Sequence, residues 1–342
     1  MKNLMISMLA MAAMVSCTNE IENPDQPQVN QNEPTPIEFG SSILGVQTKA
    51  APGETAEAFD VGEIMGITMY LGEVPTGASL GTPSKDNVSF TVGSDNKLSE
   101  TATENKTMFW KRGSKHQFYA YYPRIADDTN ANYKRTAASG SNAEKITVTV
   151  PTTGETTDLL MGKLELTSEY EGTAPSPANI GFKHMLSKIK FVFKKDASYT
   201  GEAKLTNISV SLDKGSKVFD MVAQTGDATS ASPVTITKAS TYTIIENADG
   251  DIYTDWSPIV IPEASITNLS LTIDGQTLST TSFGSLSFKE SKMTTLTITL
   301  TSSNIELTSS ITAWADGGTN GNATVKSVSY THLRAHETEL HL

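Results

Sequence analysis

Apolar residues in this chain recur at every second position. Ile189, Phe191 and Phe193 do so within Lys188 to Lys194, and the same spacing returns at Ile208, Val210 and Leu212, at Leu269, Leu271 and Ile273, and at Leu296, Ile298 and Leu300. Side chains point to opposite faces along a strand, so each run places its apolar residues on one face and Ser, Thr or Lys on the other. Ile37-Glu38-Phe39, Ile64 to Tyr70, Gln117 to Tyr122, Ile146 to Val150 and Asp158 to Leu166 read as further strands, separated by Gly, Pro, Asn and Asp clusters. Ser and Thr make up about a quarter of the chain, and Thr in particular suits a half-buried pleated surface. No sustained helical periodicity lies between the strands, which removes the crossover helices that an α/β sheet needs. Asp274-Gly275, between Leu269 to Ile273 and Leu278, is a two-residue hairpin signal, because a type I′ turn needs positive φ. The expectation is an all-β chain with antiparallel pairing. Its 342 residues exceed what one core usually takes, and Glu171 to Pro177 is a Gly/Pro-rich stretch. Two tandem Greek-key β-sandwich domains are therefore expected, at 37–175 and 176–327.

The two ends read differently from the body. Lys2, an apolar stretch from Leu4 to Val15 and the small Ser16 before Cys17 have the layout of an export leader, with an apolar part too short to span a bilayer. Met14-Val15-Ser16-Cys17 resembles a bacterial lipobox, which makes residues 1–16 the leader and Cys17 the lipidated new N-terminus. Cys17 is the single cysteine of the chain, and an unpaired exported thiol would otherwise be open to oxidation. Residues 17–36, rich in Asn, Gln, Glu and Pro, lack the apolar content to pack and read as a tether. At the other end, residues 328–342 break with the Thr/Gly/Asn-rich sequence before them and match one reading frame of a sequencing adapter. They are set aside as an artefact, and His332, His336 and His341 with them.

Several short motifs then fall in order: the lipobox, Gln47-Thr48-Lys49-Ala50, Phe59 to Gly66, Phe118-Tyr119-Ala120-Tyr121-Tyr122-Pro123, Asp158-Leu159-Leu160-Met161, Phe182 to Ile189, and a closing Ile311-Thr312-Ala313-Trp314. In this order and spacing the chain resembles the fimbrillin family of type V pilins from the Bacteroidales. The resemblance implies two transthyretin-like β-sandwich domains and export as a lipoprotein to the outer membrane and cell surface. It also implies assembly into a pilus by strand exchange. In such exchange a trypsin-like protease cuts behind the first strand, that strand leaves, and a strand of a neighbouring pilin subunit takes its place. Lys49 is the candidate cleavage site, and Ile37 to Val46 the leaving strand. Removing that strand would open an apolar groove and orphan backbone N–H and C=O groups, which an incoming strand satisfies.

Chemistry of other kinds finds little support. A net charge of −12, from 26 Lys and Arg against 38 Asp and Glu, offers no basic stripe for nucleic acid. His116 and His184 are the only histidines outside the excluded tail, and both read as structural; without further Cys or His no transition-metal site of the usual kind is expected. Glu246 to Asp251 is acidic but lacks the EF-hand ligand pattern. No phosphate-binding loop, nucleophile elbow or zincin helix occurs, so no enzyme, metal or cofactor is expected. Trp110, Trp256 and Trp314 raise the alternative of a surface lipoprotein that binds a glycan or host protein, as a tip adhesin or a monomeric binder; each lies beside an expected strand and reads first as a core aromatic.

Overall fold

A computed structural model describes residues 34–44, 59–73, 82–101, 107–126, 130–139, 142–227, 232–245, 250–253, 255–281, 283, 286–301, 305–313 and 325–327. All regular structure among them is β. The first strands are β1 (Thr35–Pro36), β2 (Phe39–Ile43), β3 (Ile64–Leu71), β4 (Lys85–Val92), β5 (Lys97–Glu100), β6 (Phe109–Trp110), β7 (His116–Tyr122), β8 (Tyr133–Thr136), β9 (Lys145–Thr149), β10 (Leu160–Glu165) and β11 (Ala178–His184). There follow β12 (Ser187–Lys195), β13 (Lys204–Leu212), β14 (Ser216–Asp220), β15 (Thr225–Asp227), β16 (Val234–Thr243), β17 (Asp251–Tyr253), β18 (Ile259–Val260), β19 (Ile266–Ile273), β20 (Gln276–Thr280), β21 (Lys292–Leu300), β22 (Ile305–Ala313) and β23 (Val325–Ser327).

The all-β expectation holds. Its details differ in three ways. The first strands close into a ring, in the order β10, β11, β2, β5, β4, β3, β7 and back to β10, instead of two separate sheets. Closure follows from β2, which bridges β11 and β5. Secondly, two pairs are parallel, β2 with β11 and β12 with β21; the crossovers between them are made of other strands, so no helix is needed. Thirdly, β11 lies beyond residue 175 yet pairs with β10 and β2. The Gly/Pro-rich stretch at 171–177 marks a loop inside the ring, and the ring's sequence runs on to His184.

The second half stacks two sheets through one core. One has the order β17, β12, β21, β22, β23 with β18 beside β12; the other is β16, β13, β19, β20. Ile189, Phe191, Phe193, Leu296 and Ile298 of the first meet Ile208, Val210, Leu269 and Leu271 of the second. A third sheet, β15, β14, β9, β8, takes strands from both halves. The sequence places Ile146 to Val150 with the first domain, but β9 pairs with β14, and Ile146, Val148 and Val150 bury in the second core. Strand β7 joins the two. Phe118 and Ala120 face the ring interior, whereas Tyr119 and Tyr121 pack into the second core. Burial on both faces explains why His116 to Tyr122 reads as a nearly continuous apolar run. The β19–β20 hairpin turns at Asp274 and Gly275, with φ of 50° and 77°, as the type I′ reading requires.

Candidate strand-exchange site

The strand singled out as leaving, Ile37 to Val46, is described as far as Leu44. Ile37, Phe39 and Ser41 are buried and Glu38 and Ser42 exposed, as in a strand with one inward face, except that Gly40 on the outward side is also buried. Phe39 is 1% exposed and stands edge-on to Phe90 and Phe118, at centroid distances of 5.2 and 5.1 Å. Such aromatic pairs contribute ~1 kcal/mol each beyond their area. On one side β2 runs parallel to β11, from Phe39 opposite Ala178 to Ile43 opposite Phe182. On the other it pairs with β5 at Phe39 and Gly40 only. The Ser41 N–H donates to the carbonyl of Asn96 at 3.0 Å, and the Ser41 hydroxyl donates to the same oxygen at 3.2 Å. Ile37 N–H reaches the Met108 carbonyl at 2.9 Å.

The connection that follows starts and ends at one place. Leu44 N–H donates to the Phe182 carbonyl, and Phe59, where the described chain resumes, packs its ring on Phe182 at 5.0 Å and on Tyr122 at 5.6 Å. Lys49 lies between them, outside the described residues, as do Gly45 and Val46.

A buried polar clasp ties the ring to the third sheet. Glu144, 1% exposed, accepts from Thr68 of β3 at 3.0 Å and pairs with Arg135 of β8, whose guanidinium also meets Asp86 of β4. Burial raises the Glu144 carboxyl above its usual range, against the pull of Arg135 and Thr68. Tyr121 donates to Asn87 at 2.8 Å, and Asn87 donates to the Ile125 carbonyl at 2.9 Å. None of these contacts involves β2.

The other residues named from sequence take structural places. His116 accepts from the Lys111 N–H through Nε2 at 3.0 Å and lies against Trp110; burial lowers its pKa, which favours the neutral ring. His184, at the end of β11, pairs through Nδ1 with Asp158. Trp110 is buried and stacks on Tyr170. Trp256 is buried, lies flat on Phe191 and donates to the Thr153 carbonyl at 3.0 Å. Cys17, Trp314, residues 246–249 and the tail histidines lie outside the described residues. Sequence reasoning missed Asn179, which stands opposite Gly40 across the β2–β11 ladder; an exposed Asn in a strand carries no signal of its own.

The sequence profile of the fimbrillin-like family matches residues 48–314. A candidate fimbrium subunit of Bacteroides uniformis, Fim1C, is 26% identical over 333 residues, covering 94% of this chain and 98% of that one. Among solved structures, a fimbrial protein from Bacteroides vulgatus superposes with a TM-score of 0.56 at 16% identity, over 82% of this chain and 99% of that one. A candidate cell adhesion protein from Bacteroides ovatus gives 0.57 at 16% identity, over 82% and 98%. Likeness at that identity speaks for the fold, and the profile match over most of the length speaks for the family: the chain belongs to the fimbrillin-like family.

Proposed function

We propose that this chain is a non-enzymatic subunit of a cell-surface fimbria, exported as a lipoprotein precursor and assembled by exchange of β2 for a strand of a neighbouring pilin subunit. The observation that carries the reading is the seat of β2. It is a five-residue strand closing the ring between β11 and β5, and Phe59, where the described chain resumes, has its own seat on Phe182 and Tyr122. Family membership and fimbrial relatives support the fimbrial role and the cell-surface location. In this reading Cys17 carries the lipid that holds the precursor at the outer membrane, and a trypsin-like protease cuts after Lys49.

Energetics favour exchange over an empty slot. Loss of β2 with the preceding Ile37 uncovers the apolar contacts of Ile37 and Phe39, roughly 2–3 kcal/mol for each fully buried side chain, and leaves the facing edges of β11 and β5 without partners. An incoming strand restores both terms. The uncut precursor is thereby held closed by its own strand, and cleavage converts a covalently tethered occupant into a replaceable one.

The test is to treat the folded full-length chain with a trypsin-like protease, reading the new N-terminus and the mass distribution together. Cleavage after Lys49 followed by SDS-resistant multimers is the expected result. A chain cut there that loses β2 yet stays monomeric at high concentration would overturn self-assembly by strand exchange.

A further inference from the structure

Within this chain the segment in the slot has a close copy. Ile37-Glu38-Phe39-Gly40-Ser41-Ser42-Ile43 and Ile305-Glu306-Leu307-Thr308-Ser309-Ser310-Ile311, from β22, share five of seven residues. The inward positions are buried in both, while at the outward position between them Gly40 is covered and Thr308 is exposed. Ile37, Phe39 and Ser41 are 8%, 1% and 9% exposed, and Ile305, Leu307 and Ser309 are 2%, 4% and 8% exposed. A second copy of the chain therefore carries a strand with nearly the right inward face for the β2 slot. The two segments differ only at Phe39 against Leu307 and at Gly40 against Thr308.

Those two positions are where the slot makes its tightest contacts. Phe39 is gripped edge-on by Phe90 and Phe118, a geometry that leucine cannot reproduce. A Cβ at Gly40 would fall 2.1 Å from Asn179 Oδ1 and 3.3 Å from its Cγ, with Pro177 Cγ at 3.5 Å. Threonine there forces the Asn179 amide aside. Asn179 is exposed and can swing outward, so the barrier is graded.

We propose that the Phe90–Phe118 pair and Asn179 form a two-point reader of the strand in the β2 slot, which accepts the Phe-Gly of the chain's own first strand and rejects the Leu-Thr of β22 from a second copy. Asn179 is the specificity-determining residue. The benefit is that β22 of one copy does not compete with the donor strand for the emptied slot of another. The inference rests on the strand-exchange reading and adds the rule by which occupants are told apart.

The experiment uses the full-length chain with one site-specific protease sequence installed at residues 47–50, cut, and titrated with fluorescent peptides spanning residues 35–44 and 305–313. Hybrids of the first peptide carrying Phe39→Leu or Gly40→Thr complete the set. The reader predicts about a tenfold loss of affinity for each hybrid and about a hundredfold for the β22 peptide. In an Asn179→Ala chain the Gly40→Thr hybrid should bind as well as the native peptide or better, because Thr suits a strand more than Gly does once the obstruction is gone. Equal affinity for the native and β22 peptides would overturn the reader and leave strand exchange standing. Failure of every peptide, the native one included, would defeat both.

A second measurement needs no cleavage. In the uncut chain, Gly40→Thr should lower the urea midpoint markedly in the native background and much less beside Asn179→Ala. Additive effects in that double-mutant cycle would overturn the role of Asn179.

Discussion

Strands β2 and β12 occupy matching places and are held very differently. Each is the first long strand of its half, and each runs parallel to a strand that comes much later, β11 in one case and β21 in the other. Strand β12 is nine residues long and pairs with β21 at nine positions, with β17 at three and with β18 at two. Ile189, Phe191 and Phe193 along it are each fully buried. Strand β2 has five residues, five pairs with β11 and two with β5, and one large buried side chain, Phe39. The same topological position thus holds one strand by a long ladder and three buried anchors and the other by a short ladder and one. In the proposed reading that difference makes β2 the strand to be exchanged and β12 the one that stays.

The sharpest way to break this comparison is to truncate an anchor in each strand, before and after cleavage between Leu44 and Phe59. Phe191→Ala should cost about 3–5 kcal/mol whether or not the chain is cut, because its core is shared by both sheets of the second half. Phe39→Ala should cost a similar amount in the uncut chain and almost nothing once β2 has been released. Urea denaturation of the four samples measures this; equal sensitivity after release would mean that β2 never leaves.

The clasp at Glu144 sharpens the comparison from the other side, since it joins the ring to the third sheet without β2. Arg135→Met leaves a buried carboxylate without its cation and should destabilise by about 3 kcal/mol at neutral pH. Burial holds the folded-state pKa of Glu144 above the ordinary carboxylate value, so the folded state binds the extra proton. Stability of the variant then falls as pH rises above the ordinary value and recovers as pH drops. A flat difference between variant and parent from pH 4 to 7, about the span of carboxylate titration, would refute the assignment.

Two smaller effects follow. Ser41→Ala removes one hydroxyl bond to the Asn96 carbonyl and should cost about 1 kcal/mol in the uncut chain, with faster release of β2 after cutting. Asp274→Asn, in the β19–β20 turn, should lower the Tm least. There slight burial opposes ionisation, but the Lys204 N–H, the Tyr199 hydroxyl and the Ala203 N–H outweigh it and hold the carboxyl below its usual range. A lowered pKa stabilises the folded state at neutral pH, and that stabilisation is lost as pH falls through the acidic carboxylate range. The effect should be the same in cut and uncut chains, because Asp274 bonds to Tyr199, Ala203 and Lys204 and not to β2.

The strands that sequence shows best are those that bury one face. Strands β12, β13, β19 and β21 appear as unbroken alternation because each lines the second core on one side and meets solvent on the other. Strand β16 does not appear, since its ten residues include one fully buried apolar side chain, Ile236, and Thr, Ser and Lys fill most of the rest. Strand β2 is legible in the sequence as a strand, but its neighbours are not. Pairing of Phe39 with Ala178 is set by closure of the ring, a long-range event with no local signature. The same limit moved the boundary: Glu171 to Pro177 has the composition of a linker, yet tertiary pairing of β11 keeps the ring going past it. Family-like motifs point to residues 37–46 as the strand to exchange, whereas the crowding of Asn179 against a Cβ at Gly40 exists only in the folded chain.

Amide hydrogen exchange before and after cleavage, with mass spectrometry resolving β5, β11, β12 and β21, tests the central claim most directly. The account predicts that cutting within residues 45–58 and removing the freed fragment strips protection from β11 and β5, leaves β12 and β21 protected, and that the peptide of residues 35–44 restores the lost protection. Unchanged protection in β11 and β5 after the cut, or loss that spreads equally through β12 and β21, would contradict it.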